Sequence, residues 1–504
     1  MAFSATASAP GKLILFGEHA VVYGHTAVAV ALSNMRVAVH VALRPCQPAG
    51  DAAQPTEVLE VTLHDLPSAS GRNAAPVRAC VSLDAIASSA ASLHAAADGD
   101  PDSWRVPRSA DAATVEAFGS ILGDAPADDK AALVPLLFLV ASLLPQLGAL
   151  DGPRVGGRLE ISVRSAGLPV GAGLGSSAAF SVALAAALLR LQLQLQRVST
   201  AASSGGISAD GVARLVASSP AASVALMSGA AAAASLEPGA PAKELINGWA
   251  YRAECILHGT PSGLDNAVSC AGGGMRLSKQ QQGERASGGG VLTFSAVGMM
   301  PDLTVLVTNT RVPRSTRDLV ARVRALHEAH PAITEPLFAA VAAVGQTFLD
   351  MLGQQQPGNA DGGAPRSLSS ELPMLVRANH GLLVSLGVSG PALEDVVATA
   401  AAEGLATKLT GAGGGGCALS VVAVGQVSAA AARAAARAKR RLEAKGYVCH
   451  LARVGGAGVL WHTPEGDSPL AGARGRRAVV AMLPAVGAAA AAVALLAVGR
   501  AWRK

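Results

Sequence analysis

The segment Leu168–Phe180, LPVGAGLGSSAAF, sets three alternate glycines ahead of two serines and an apolar run. A strand pattern over Arg158–Arg164 precedes it, and a helix pattern from Ser176 to about Arg197 follows. The first N–H groups of a helix lack partners and the aligned peptide dipoles make that end positive, so this junction suits a phosphate. Gly171, Gly173 and Gly175 allow close backbone approach, with Ala172 and Leu174 between them. Ser176 and Ser177 offer hydroxyls to phosphate or to a metal ion. No Gly-Lys-Ser/Thr follows, which excludes a Walker A loop. No acidic residue stands about 20 positions on, which argues against a dinucleotide fingerprint. Taken alone, the segment could also be a flexible turn leading into a helix N-cap.

A second glycine segment, Lys408–Ala418 (KLTGAGGGGCA), has five glycines in six positions. A plain linker is one reading, but it lies between a helix pattern and the apolar strand Cys417–Val424. Gly411, Gly413 and Gly414 are its candidates for supporting a phosphate loop. Near the N-terminus, Lys12 follows Pro10-Gly11 and opens an apolar run, Leu13–Phe16, that ends in Glu18 and His19. Lys12 could be a strand-end surface charge and His19 a hydrogen-bonded core histidine. Asp265, after Gly263, has the placement of a helix N-cap, which does not exclude chemistry. Glu254 ends a helix pattern and would read as a surface helix residue.

In chain order, Ala9–Gly24 (APGKLILFGEHAVVYG), the LPVGAGLGSSAAF loop and KLTGAGGGGCA resemble the three signature segments of the galactokinase, homoserine kinase, mevalonate kinase and phosphomevalonate kinase (GHMP) superfamily. Within it, Glu254–Ser269 (ECILHGTPSGLDNAVS) and Thr308–Arg317 (TNTRVPRSTR) are similar to the mevalonate kinase branch. The resemblance covers about residues 8–460 and implies ATP-dependent phosphorylation of mevalonate in isoprenoid and sterol precursor synthesis. It implies Asp265 as general base, Lys12 beside it as the cation at the reacting groups, and the loop Gly171–Ser177 with Lys12 as the ATP site. Glu18, His19 and Thr316 would meet the alcohol substrate. Mg2+ would be held by Ser177 and Glu254, since that hard ion takes oxygen ligands and keeps several waters. A homodimer and feedback inhibition by prenyl diphosphates are further implications. The alternatives are another kinase of the superfamily, such as phosphomevalonate kinase, and a membrane-tethered, non-catalytic ATP-binding sensor.

The elements that must position these residues suggest an α+β, two-domain architecture. An N-terminal domain would span 1–245, with Ala/Ser-rich insertions at about 74–129 and 199–242, the first of them an insertion or a poorly ordered surface region. A ferredoxin-like C-terminal domain would span 246–462, ending in the strand–helix–strand pattern Cys417–Val424, Val427–Lys445 and Tyr447–Arg453. Val28–Arg44 reads as one or two strands, and helices are expected over Leu133–Leu150, Glu244–Leu257, Arg314–His330 and Pro336–Leu352. Lys279–Gly290 reads as a loop tip and Gln354–Arg366 as a flexible excursion.

The 504 residues are 50% apolar but only 3% aromatic, so aliphatic packing must dominate the core. A formal charge of +5 with no basic patch interleaved with aromatics excludes a nucleic-acid binder as the leading class. Six scattered cysteines without metal-knuckle spacing suit a reducing, cytoplasmic compartment. After a polar linker, 463–477, the run Ala478–Gly499 is 22 residues without a charge, flanked by arginines. It is long enough to cross a bilayer as a tail anchor in the endoplasmic reticulum or peroxisome, although alanine, Pro484 and two glycines weaken it.

Overall fold

The computed structural model describes residues 3–45, 57–67, 76–95, 103–145, 157–203, 237–280, 291–354 and 367–462. The proposed anchor 478–499, the linker 463–477, most of the 199–242 insertion, nearly all of the 279–290 tip and most of the 354–366 excursion lie outside these residues.

The centre of the molecule is a long hairpin, β1 (Phe3–Phe16) against β2 (Ala27–Pro45). Strand β2 alternates in the way a strand buried on both faces must. Val28, Val30 and Leu32 enter the main core, whereas Ala27, Ala29 and Ala31 face a small second cluster with Leu264, Val268, Met275 and Leu277. The small alanine side chains leave room for the helix Leu264–Ala271 to lie close against β2, and that helix carries Asp265.

Beyond β2 come β5 (Gly157–Ala166), then β3 (Val58–Pro67) parallel to it, then β4 (Pro76–Ser82). Strands β6 (Gly274–Gln280) and β7 (Val291–Val297) form a hairpin on the far end of β2. The helices Ala127–Leu143 and Ser176–Ser203 cover the sheet, and the second is buried along Ala178–Leu189 apart from Phe180. Ser176–Gln196 and Pro331–Gln354 are long and apolar enough to span a membrane by composition, but the first has 83% of its apolar window inside the protein and is a core helix.

The second half contributes β8 (Leu303–Asn309), β9 (Ala406–Thr410), β10 (Cys417–Val424) and β11 (Val448–Val454), all antiparallel, in the order β11-β8-β10-β9. A separate cluster including Leu306, Phe338, Leu383, Val396, Leu409 and Leu442 packs its helices onto these strands. One register pair, Val454 opposite Leu32, joins this sheet to β2, and β12 (Leu460–His462) returns to pair with β1.

Local order differs from expectation in two places. Of the two readings of 74–129, an insertion or a poorly ordered surface region, poor order does not hold over the described residues, which contain β4 and the helices Leu83–Ser89, Ala91–Ala95 and Ala112–Ile121. Trp104 and Phe118 anchor it, at 1% and 0% exposure. Its alanines, serines and aspartates dilute the periodicity, so the few large side chains that fix it are easily overlooked. The helix expected from Pro336 begins at Pro331 and contains Pro336.

Candidate active site

Strand β1 places the first catalytic candidate. Its register against β2 shifts between Pro10 and Gly11, next to Lys12. A Cβ on Gly11 would stand 2.7 Å from the Leu174 carbonyl oxygen, so only glycine lets the glycine loop lie on the strand. The Lys12 N–H donates to that same carbonyl at 2.8 Å. The lysine stem then runs under Gly175, and its Nζ pairs with Asp265 Oδ1 at 3.0 Å. Lys12 is 7% exposed, whereas the Asp265 side chain remains 38% exposed, open on one side. Gly263, in the left-handed region, turns the chain into the helix Leu264–Ala271. Ser269 Oγ ties that helix to β1 by donating to the Pro10 carbonyl at 2.7 Å. The sequence-predicted pair, Lys12 and Asp265, is therefore assembled from segments about half a chain apart.

Gly171, Gly173 and Gly175 all have positive φ, and Ser176 and Ser177 open the helix Ser176–Ser203. Successive backbone amides in such a turn make a concavity for an anion. Ser177 Oγ donates to Glu254 Oε2 at 3.1 Å, and Ser181, one turn on, donates to Oε1 at 3.0 Å. Glu254 is 2% exposed, and burial pushes its carboxyl above the usual carboxylate range, opposed by Ser181, His258 and Ser177. A buried carboxylate whose described partners are two hydroxyls and a histidine, with no lysine or arginine among them, is a suitable donor for a divalent cation. Among the described residues no three His, Cys, Asp or Glu side chains gather as a metal cage. A hard ion here would take its remaining ligands from phosphates and water.

The second glycine segment follows β9. Gly411, Gly413, Gly414, Gly415 and Gly416 have positive φ, and a Cβ on Gly413 would stand 2.0 Å from the Val388 carbonyl oxygen. Cys417 Sγ at its end donates to the Ala172 carbonyl at 3.3 Å, and burial pushes that thiol up to about 12. The Arg314 guanidinium lies between the two loops. A Cβ on Gly173 would fall 1.5 Å from Arg314 Nη2, and one on Gly411 3.2 Å from Nη1. Burial lowers the Arg314 pKa, and among the described residues no carboxylate pairs with it. A mostly buried cation between two glycine loops is placed for an anion.

The remaining candidates fall differently. Glu18 is enclosed at 1% exposure: Asn379 Nδ2 donates to Oε2 at 3.1 Å and Lys408 Nζ pairs with Oε1. Burial lowers the Lys408 pKa and Glu18 opposes that shift. His19 has a positive φ of 62° and its Nε2 meets the Ala412 carbonyl at 2.9 Å, which makes Nε2 the protonated nitrogen. Burial keeps the ring's pKa low. His19 thus clamps the second glycine loop to the end of β1. Thr316 is exposed at the first position of the helix Thr316–Ala329; Arg314, two residues earlier, is the side chain that reaches the glycine loops.

The GHMP kinases N terminal domain matches residues 138–214 and the GHMP kinases C terminal domain matches residues 370–448. Mevalonate kinase of Bos taurus is 34% identical over 459 residues, covering 90% of this chain and 94% of its own length. That of Homo sapiens is 32% identical over 460 residues, with the same coverage. The chain belongs to the mevalonate kinase family. Its fold is that of solved members: the L. major mevalonate kinase in complex with R-mevalonate superposes with a TM-score of 0.51 at 19% identity, over 89% of this chain and 95% of that one. The Methanococcus jannaschii mevalonate kinase gives 0.51 at 16%, over 90% and 98%. In this mevalonate kinase family member, sequence reasoning missed Ser181, His258, Asn379 and Cys417. Two of them had a readable signal. Ser181 follows Ser177, and His258 follows Glu254, at the four-residue spacing that shares a helix face.

Proposed function

We propose that this chain transfers the γ-phosphoryl group of ATP to mevalonate, giving 5-phosphomevalonate for isoprenoid and sterol precursor synthesis. The observation that carries the reading is the Lys12–Asp265 pair, 3.0 Å apart beside the helix-opening glycine loop. Phosphoryl transfer asks mainly for positioning and charge neutralisation. The amides of Gly171–Ser177 and the Arg314 guanidinium are placed to receive the nucleotide phosphates. Asp265, accessible on one side, accepts the proton of the attacking hydroxyl. Lys12 neutralises charge that develops between that oxygen and the phosphoryl group. His19 and Thr316 border the alcohol, and Glu18 acts through His19, since both its carboxylate oxygens are already bonded.

Mg2+ fits Ser177 and Glu254, whose hydroxyl and carboxylate oxygens lie side by side; bound there it would neutralise phosphate charge. The C-terminal half reads as ferredoxin-like, supported by its antiparallel order β11-β8-β10-β9 with the helix Ala429–Ala444 between β10 and β11. A homodimer and inhibition by prenyl diphosphates at the nucleotide site remain part of the proposal. So does a cytoplasmic catalytic body held by a tail anchor at 478–499, for which membrane fractionation with and without residues 474–504 is the test. Activity is tested by coupled ADP release with mevalonate, phosphomevalonate and galactose as acceptors. Turnover with mevalonate alone is expected; turnover only with another acceptor, or ATP binding without turnover, would overturn the reading.

A further inference from the structure

Two side-chain pairs face each other at the base of the first glycine loop. Ser177 and Ser181 lie on the helix Ser176–Ser203, and Glu254 and His258 lie on the helix Ala240–His258. Three of their atoms converge. Ser177 Oγ is 3.1 Å from Glu254 Oε2; His258 Nε2 is 3.3 Å from that hydroxyl and 3.6 Å from that carboxylate oxygen. An octahedral ion with bonds of about 2.1 Å sets neighbouring ligands about 3.0 Å apart. The three atoms, already within contact distance of one another, therefore stand close enough to share one ion as neighbouring ligands.

The supports of this face differ in rigidity. Glu254 is 2% exposed and its other oxygen is held by Ser181 at 3.0 Å, so the oxygen that faces His258 is fixed in direction. The His258 side chain is 54% exposed. It ends its helix where Gly259, at φ 73°, turns the chain away, which leaves the ring on the open side of the site. Nothing else described engages its Nε2.

We propose that His258 is a third protein ligand of the metal ion, completing with Ser177 and Glu254 an oxygen–oxygen–nitrogen face that favours Mn2+ over Mg2+. This rests on the reading that Ser177 and Glu254 hold the ion. Imidazole nitrogen suits first-row transition ions, whereas magnesium takes oxygen ligands and retains water. The ring therefore tunes which divalent ion accompanies the nucleotide. Without it the protein offers the ion two oxygens and no nitrogen.

The test uses the full chain with histidines labelled with nitrogen-15, Mn2+, and an ATP analogue with a methylene bridge between its last two phosphates. Pulsed electron paramagnetic resonance is expected to show nitrogen coupling to Mn2+ that changes with the label and vanishes in His258→Gln. The ratio of Mn2+ to Mg2+ affinity should fall about tenfold in that variant, the usual scale for loss of a group that tunes a metal site. A wild-type spectrum without histidine nitrogen coupling, or a ratio unchanged within about twofold in His258→Gln, would overturn the proposal. Glu254→Gln separates the two levels. If it loses Mn2+ while the wild type shows no histidine nitrogen, only the His258 assignment fails. If it binds Mn2+ with the wild-type spectrum, the metal site itself has been misplaced.

Discussion

Replacing Lys408 by methionine isolates the buried ion pair that joins the two halves beneath the site. Lys408 and Glu18 side chains are both at 0% exposure, and their partners include only Asn379 as a further described donor to the carboxylate. Two unit charges about 4 Å apart attract by about 4 kcal/mol at an effective dielectric of 20. Methionine keeps the volume and removes that attraction, leaving Glu18 buried with one amide donor. Breaking a buried pair in this way costs about 3–5 kcal/mol. Removing both charges, with Glu18→Gln and Lys408→Met together, should recover most of the loss, because no uncompensated charge remains. The assay is the urea midpoint of each variant at pH 7, read as a double-mutant cycle. The result that refutes the reasoning is a Lys408→Met variant within about 1 kcal/mol of wild type, or a double variant no more stable than that single one. Because Glu18 precedes His19, the single variant should also raise the KM for mevalonate, with nucleotide affinity less affected.

Two other outcomes follow from the geometry. Gly173→Ala adds a methyl 1.5 Å from Arg314 Nη2 at a φ of 80°, so the guanidinium must move and nucleotide KM should rise about tenfold or more, the worth of one charge-assisted hydrogen bond; a KM within about twofold of wild type would mean that Arg314 does not serve the phosphates. Burial lowers the pKa of His19, His40 and His380. Below about pH 6.5 the unfolded chain therefore takes up protons that the folded chain resists, and stability falls with pH from there down through the lowered values. Urea midpoints at pH 7.5 and 5.5 check this, and equal midpoints would contradict it.

The local parts of the site could be read from sequence because they are continuous in the chain. Gly171–Ser177 declares its turn and helix start within seven positions, and Cys417–Val424 reads as a strand from its apolar run alone. The pairings could not be read in that way. Glu18 and Lys408 are 390 positions apart, and His19 meets a backbone carbonyl 393 positions away, so no spacing rule connects them. Glu18 faces inward because a lysine from β9 awaits it there. Arg314 is one arginine among several in the segment Thr308–Arg317, and its place between both glycine segments emerges when β8, β9 and β10 pair. The helix read from Pro336 begins five residues earlier, at Pro331, and carries Pro336 within its second turn, where no pattern in the sequence marks the start.

The chemical assignment rests on Asp265 beside Lys12, and single-turnover quench flow with Asp265→Asn tests it most directly. With saturating ATP and mevalonate, the chemical step is expected to slow by ~10²–10⁴, the usual share of general-base catalysis, while ATP affinity stays close to wild type. A chemical step within about threefold of wild type would contradict it.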